Sequence, residues 1–317
     1  RLKIKPLAER KNKVYIERDH IPVGQSPKNL TEKGMQLIEG TAERIKKARE
    51  LNRSVMLAFG AHTIKNGMAP TLIALMEEGW VTHLATNGAG IIHDWEFAFQ
   101  GESSEDVREN VKQGQFGIWQ ETGFYINLAL IVGAFEGLGY GESVGKMVEE
   151  EGLGIPEPSF LYDFAQENRE TDPQRAAAAI DLAGVIKRFH LAAGFMNIPH
   201  PYKKYSVQGN AYALRVPFTG HPMFGHDIIY THPMNYGAAV GRTAENDFLY
   251  YAQSVSNLEN GVYLSIGSAV MSPMIFEKSL SMAQNLAIQH KSHIDHHYIL
   301  VVDLAESDWD WDKNGEP

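Results

Sequence analysis

The sequence has no cysteine among its 317 residues, and it has fewer basic than acidic side chains. Without cysteine there can be no disulfide, thiolate nucleophile, iron–sulfur cluster or cysteine-ligated zinc. Lys and Arg number 29 against 39 Asp and Glu, which gives a net charge of −10. A chain of this charge has no general electrostatic reason to bind nucleic acid or anionic lipid. It suits a cationic ligand, although solubility alone would also explain the acidity.

Long apolar runs are also missing, since no stretch of about 18 apolar residues occurs. Residues 1–18 are basic and lack the apolar segment of a secretory signal. The absence of cysteine fits a reducing compartment, so we expect a cytoplasmic protein without a membrane span. The chain starts at Arg1 rather than Met and stops in a polar stretch at Pro317, and we expect further residues at both ends.

The pattern that is present is an alternation of strands and helices. Short apolar runs predict strands at Lys13–Glu17, Ser54–Gly60, Trp80–Thr86, Asp227–Thr231, Gly261–Ile266 and His297–Leu304. Helical spacing predicts helices at Thr31–Leu51, Pro70–Glu78, Ala89–Phe99, Gln115–Phe135, Gln174–Phe195, Ala244–Asn257 and from Ser272 to about Ala287. This alternation predicts an α/β fold, a Rossmann-like parallel sheet with helices on both faces. We expect an N-terminal arm over residues 1–30 and a single domain over 31–317, with a helical insertion over roughly 103–195.

The turns that follow the predicted strands are the natural place to look for a site, because ligands of such sheets lie beyond the carboxyl ends of the strands. Three of these turns carry glycine and lead into helices. They are Gly60-Ala61-His62, Thr86-Asn87-Gly88-Ala89-Gly90 and Gly267-Ser268-Ala269. Small residues let the backbone approach a ligand, and helix N termini favour phosphate. The turns therefore predict a dinucleotide site, unless the glycines only shape the turns. No complete G-x-G-x-x-G or P-loop motif occurs.

The fourth strand is followed by an acidic stretch that includes Glu306 and Asp308, interleaved with Trp309 and Trp311. Carboxylates beside aromatic rings suit a polyamine or another ammonium compound, and they would also suit a divalent cation. The alternative interpretation is a solvated acidic tail.

Histidine is abundant, with 13 residues. His62 and His93 follow strands that we expect to be neighbours, so they are candidates to move protons in one cleft, with Asp94 beside them. His226 and Asp227 form a second pair of imidazole and carboxylate. The cluster from His290 to His297 could ligate a metal or could be a surface turn, and we predict no metal site.

The segment from Gly60 to Asp94, with its Thr86–Gly90 turn, resembles the deoxyhypusine synthase family. The order of three later segments matches as well, and these are His226–Tyr230, Tyr263–Val270 and Val301–Asp308. The resemblance covers roughly residues 50–310.

The resemblance implies an NAD-binding, Rossmann-like fold, a homotetramer, and a reaction in which spermidine is oxidised and its aminobutyl group is transferred through an imine. It implies cofactor contacts at Asn87, Gly88, Ala89, Gly267, Ser268 and Asp308, to which Thr86, Gly90 and Ala269 are added as parts of the same turns. It places an amine at Asp227, with Glu306 and His226 nearby.

The Trp-x-Lys segment that carries the imine-forming lysine of that family is not among the 317 residues. Two alternatives therefore stay open beside an NAD-dependent transferase. One is a different enzyme on the same fold, such as a metal-assisted hydrolase or a transferase for a phosphorylated or nucleotide-linked substrate. The other is a relative that binds the cofactor without catalysis.

Overall fold

The computed structural model describes residues 2–304. Its strands, in chain order, are β1 (Asn12–Tyr15), β2 (Val55–Phe59), β3 (His83–Asn87), β4 (Glu102–Glu105), β5 (Gly152–Ile155), β6 (Gly194–Asn197), β7 (Phe218–His221), β8 (Val262–Ile266) and β9 (Tyr298–Val302). Its helices are α1 (Ile16–Asp19), α2 (Glu32–Glu50), α3 (Ala61–Lys65), α4 (Ala69–Glu77), α5 (Gly88–Gln100), α6 (Val107–Lys112), α7 (Gln120–Glu136), α8 (Tyr140–Glu150), α9 (Pro158–Asn168), α10 (Pro173–Phe189), α11 (Val207–Leu214), α12 (Gly237–Ser256) and α13 (Met271–Gln289).

Five of the strands form one parallel sheet in the order β7-β3-β2-β8-β9. The chain therefore starts in the middle, builds outward to β7, and then returns to the other side of β2 for β8 and β9. This is the doubly wound order, in which the connections after the two central strands leave in opposite directions. Helices α2, α5 and α8 pack on one face, and α12 and α13 cover the other. The predicted fold class, a parallel sheet with helices on both faces, is confirmed.

The central strands form where the sequence is apolar in an unbroken run. All five residues of β2 are buried, because helices cover both of its faces. The side chain of Thr31 accepts a hydrogen bond from the N–H of Gly34 and so caps α2, as the sequence predicts.

One predicted strand is wrong. The segment Asp227–Thr231 contains a 3-10 helix (Ile228–Thr231), and the strand at this place in the sheet is β7, several residues earlier. The apolar, β-branched sequence of the segment is overridden by its packing on α7, where the side chain of Asn127 donates to the carbonyl oxygen of Ile229. Strand β7 escapes detection because its sequence, Phe-Thr-Gly-His, is short and half polar.

The helical middle section is interrupted by strands that the sequence pattern does not show. Strand β4 pairs antiparallel with β1, and β5 pairs antiparallel with β6. Residues from the predicted N-terminal arm are also tied to the domain, since Leu7 and Ile16 are buried in its main core. In residues 2–304 no single helix is both long and apolar enough to cross a membrane, and α7 and α8 reach that criterion only as a pair bent by 110°.

Candidate functional site

Three strand ends meet at the carboxyl edge of the sheet and define the candidate site. Strand β2 pairs with β3 on one side and with β8 on the other, so the turns after these strands are neighbours. Each turn leads into a helix, and α3, α5 and α13 all begin at this edge. The first N–H groups of a helix have no partner within the helix and carry a partial positive charge. The edge between β2 and β8 is therefore suited to an anionic group.

The turns after β2 and β8 touch through backbone alone. A Cβ atom on Gly60 would collide with the carbonyl oxygen of Gly267, so only glycine fits at the first position. Gly267 has a φ of +56°, in the left-handed region that favours glycine. The N–H of Gly60 donates to the carbonyl oxygen of Ile266 at 3.0 Å, which fixes the approach. The chain thus keeps side chains out of the point where the sheet changes direction.

The turn after β3 is held by its own side chains. The Asn87 Oδ1 atom accepts from the N–H of Gly90 at 2.9 Å and caps α5, while the Thr86 hydroxyl donates to the carbonyl oxygen of Phe59 at 2.9 Å. A side chain on Gly90 would collide with Thr86. Thr86, Asn87 and Gly90 therefore shape the turn, whereas Gly88 and Ala89 offer the first N–H groups of α5 to the edge.

The turn after β8 has the same division of roles. The Ser268 hydroxyl oxygen accepts from the N–H of Ser272 at 3.2 Å in the first turn of α13. Ala269 is exposed at the start of that helix. Ser268 therefore fixes the first turn of α13. The small side chain of Ala269 leaves the N-terminal end of this helix accessible.

The structure brings Asp227 to the start of α5. Its carboxylate fills the space that a Cβ atom on Gly88 would need, and the residue is only 9% exposed. Burial raises the pKa of Asp227 to about 6, against a weak hydrogen bond from the Tyr230 hydroxyl at 3.5 Å. Burial, with a smaller contribution from the charge of Asp227, raises the pKa of the Tyr140 hydroxyl, which has no hydrogen-bond partner within residues 2–304. Asp227 is therefore a buried carboxylate at the edge of the sheet, near the hydroxyls of Tyr230 and Tyr140. His226, the residue predicted to act with it, is exposed.

His93 lies at the end of a buried chain of polar groups. Its Nδ1 atom is 2.7 Å from the hydroxyl oxygen of Ser103, and that hydroxyl donates to Glu96 at 2.5 Å. Because the Ser103 proton goes to the carboxylate, Ser103 can only accept from His93, which places the imidazole proton on Nδ1 and leaves Nε2 as an acceptor. Burial lowers the pKa of His93 to about 4, and the charges of Lys65 and His62 act in the same direction. At neutral pH the ring of His93 is therefore uncharged. His62 is exposed and lies close enough to influence the pKa of His93.

Asp94 has a structural role. Its carboxylate accepts from the Ser206 hydroxyl at 2.6 Å and from the N–H groups of Val207 and Gln208 at 2.7 and 3.2 Å. These contacts bind it to the N terminus of α11, away from the turns at the sheet edge. Burial raises the pKa of Asp94 to about 6 in spite of these bonds.

His221 precedes the predicted pair His226 and Asp227 in the sequence but is not among the predicted site residues. It ends β7 directly opposite Asn87 in the register, on the face covered by α12 and α13. Its Nε2 atom is 2.9 Å from the Thr219 hydroxyl, which also lies 2.9 Å from Nε2 of buried His83. Burial lowers the pKa of His221 to about 3, so it is neutral at the site. The alternation of Thr219 and His221 on one face of a strand is the signal that could have found it.

The remaining predictions concern the acidic stretch after the last strand and the histidine cluster. Glu306 and Asp308 fall outside the described residues. The histidines between His290 and His297 lie around an exposed turn, where the Nδ1 atom of His296 is 2.8 Å from Glu259. No group of three His, Asp or Glu side chains arranged to hold a metal occurs within residues 2–304.

The fold defines the class of protein as a doubly wound α/β domain, with three glycine-bearing turns at the carboxyl edge of its sheet. No protein-family model and no curated protein matches the chain.

Solved structures resemble it weakly. AgrE in ternary complex with ornithine and NAD+ has 14% identity and a TM-score of 0.37, over 78% of this chain and 26% of its own. ArgZ, an arginine dihydrolase of the cyanobacterial ornithine–ammonia cycle, has 12% identity and a TM-score of 0.38, over 83% and 33%. A putative deoxyhypusine synthase from Entamoeba histolytica has 10% and 0.30, over 72% and 74%. This chain spans about a quarter of AgrE and a third of ArgZ, and likeness at this level does not assign a cofactor or a reaction.

Proposed function

We propose that the chain binds NAD at the switch point and uses it to oxidise an amine or polyamine. The observation that carries this proposal is the meeting of three glycine-bearing turns where the sheet changes direction between β2 and β8. In doubly wound sheets dinucleotides lie at this place, with their phosphates at helix N termini. The turn Gly267–Ala269 at the start of α13 would hold the pyrophosphate, because the start of α5 at Gly88 is already occupied by the carboxylate of Asp227.

The amine would lie near Asp227. No Lys or Arg pairs with this carboxylate within residues 2–304, and the only charge that lowers its pKa is that of exposed His226, so a cationic ligand would offset the cost of its burial. A primary ammonium would pair with it, and the hydroxyl of Tyr230 lies beside the carboxylate at 3.5 Å. Asp308 and Glu306 remain predicted contacts to the cofactor and the amine.

The oxidation is a transfer of hydride from the carbon that carries the amine, with loss of a proton from nitrogen and formation of a C=N bond. NAD supplies the hydride acceptor. Of the groups at this end of the molecule, His93 has a neutral ring with Nε2 free to take a proton, and its Nδ1 proton is fixed by Ser103. Aminobutyl transfer to an acceptor, in a homotetramer, is the finer proposal that the resemblance to the deoxyhypusine synthase family supports.

The activity can be tested by mixing the protein with NAD and spermidine and following NADH by its near-ultraviolet absorbance. NADH that forms only when protein, NAD and amine are all present supports the proposal. If NADH does not form with spermidine or with its diamine fragments, the assignment of amine oxidation is wrong, whether or not NAD binds.

Replacing Asp227 with Asn is expected to abolish amine-dependent NADH formation and to stabilise the fold. Because its pKa is raised to about 6, the folded protein binds more protons than the unfolded chain between about pH 4 and 6, and stability falls as pH rises through that window. At about pH 7.5 the neutral amide removes this cost, so we expect a gain of about 1–2 kcal/mol, which vanishes below about pH 4. Urea unfolding at both pH values measures it.

The matched control is Asp163→Asn, which changes an exposed carboxylate in α9. It should alter the free energy of unfolding by less than about 0.5 kcal/mol at either pH. A destabilised Asp227→Asn protein at neutral pH would contradict the view that this carboxylate is held for function rather than for stability.

A further inference from the structure

A second cavity lies at the opposite edge of the sheet from the proposed cofactor site. It has a volume of about 750 Å³ and is bounded by α8, α11, α12 and the segment that leads into β7. Its wall includes Pro217 and Phe218, at the amino end of β7, whereas the cofactor turns follow the carboxyl ends of the strands. Cavities that bind small molecules have volumes of about 300–1,000 Å³. The cavity is therefore large enough for a metabolite and separate from the site described above.

Two unpaired charges of opposite sign line this cavity. Arg215, which is exposed, and Glu142, which is half-buried, both line it, and neither makes an ion pair or a side-chain hydrogen bond within residues 2–304. Glu142 on α8 and Arg215 at the end of α11 lie at the same end of this helix pair, because the two helices run antiparallel. Gly145 packs against Gln208 and Tyr212, and Gly141 packs against Phe218.

The wall also contains a buried acceptor without a donor. Gln208 is 1% exposed, and its Oε1 atom has no hydrogen-bond partner within the described residues. Unsatisfied buried acceptors are rare in folded proteins, because each one loses its hydrogen bonds to water. Glu149, by contrast, is near Lys203 at 3.8 Å and is already partly neutralised.

We propose that this cavity binds a small zwitterion that carries one carboxylate and at least one ammonium group, as free amino acids do. The carboxylate pairs with Arg215, whose planar guanidinium can bind it with two hydrogen bonds. The ammonium pairs with Glu142. A ligand that carries only a positive or only a negative charge would leave either Arg215 or Glu142 without a partner. The rings of Tyr212 and Tyr250 lie in the wall and suit an aliphatic chain that carries a cation.

The proposal is tested by calorimetric titration with three matched probes. These are L-lysine, cadaverine, which lacks its carboxylate, and ε-aminocaproate, which lacks its α-ammonium. We expect L-lysine and ε-aminocaproate, which both carry a carboxylate and an ammonium, to bind more tightly than cadaverine. Arg215→Gln should weaken L-lysine by about ten-fold or more and leave cadaverine unchanged, whereas Glu142→Gln should weaken both.

The control is Arg188→Gln, which removes an exposed guanidinium in α10 outside the cavity and should leave all affinities unchanged. Circular dichroism of each variant verifies that the fold persists. The proposal is overturned if none of the probes binds at millimolar concentration, if cadaverine binds as tightly as L-lysine, or if Arg215→Gln leaves the affinity for L-lysine unchanged. Because the cavity and the cofactor turns share no residue, these outcomes do not depend on whether NAD binds.

Discussion

Truncation of Arg10 to Ala is expected to lower the free energy of unfolding by about 3–5 kcal/mol. The guanidinium forms two parallel hydrogen bonds to the carboxylate of Glu96, at 2.7 and 2.6 Å, and both side chains are 1% exposed. Thr122 and Ser103 donate to the same carboxylate. Burial, the largest single influence, raises the pKa of Glu96, but the charge and hydrogen bonds of Arg10 together with the other groups around the carboxylate outweigh it, and the net pKa is lowered. Without Arg10 a charged carboxylate is left buried and unmatched.

Denaturant unfolding measures this loss, and Arg18→Ala is its control. Arg18 pairs with Asp19 at 2.7 Å, but the pair is exposed and screened by water, so its loss should cost far less than the loss of Arg10. Equal effects for the two variants would contradict the conclusion that the N-terminal segment is an integral part of the fold. The same network holds His93 through Ser103, so Arg10→Ala should also disturb that ring.

Replacing Ala269 with Glu is expected to weaken NAD binding by about 2 kcal/mol, or about thirty-fold. Ala269 is exposed at the start of α13, next to the Gly267 and Ser268 turn. A carboxylate there repels a pyrophosphate and satisfies the helix end in its place. The change adds no buried group, so the free energy of unfolding should stay within about 0.5 kcal/mol.

Ser281→Glu is the matched control, because it adds the same charge to an exposed position further along α13. It should leave NAD affinity unchanged. If both variants bind NAD as the unchanged protein does, the pyrophosphate does not lie at this turn. Lowering the ionic strength should enlarge the effect of Ala269→Glu, since the interaction is between charges.

The sequence was sufficient to predict the fold class and four of the five strands of the main sheet. Strand β2 is a continuous apolar run, and β3, β8 and β9 are preceded or followed by helices with clear ends. These features are local, and local patterns are what periodicity and capping rules describe. The glycine turns were found for the same reason.

The remainder depends on contacts between residues far apart in the chain. Strand β7 carries too little apolar character to be seen alone, and its pairing with β3 places His221 beside Asn87. Asp94 follows His93 in sequence, but its side chain serves α11. The pairing of Arg10 with Glu96 likewise exists only once the segment before β1 packs on α5.

The most direct test of the central claim is a calorimetric titration of NAD into the unchanged protein. The account predicts saturable binding with one site per chain, which Ala269→Glu weakens and Ser281→Glu does not. Absence of binding at millimolar NAD would contradict the assignment of the switch point as a dinucleotide site.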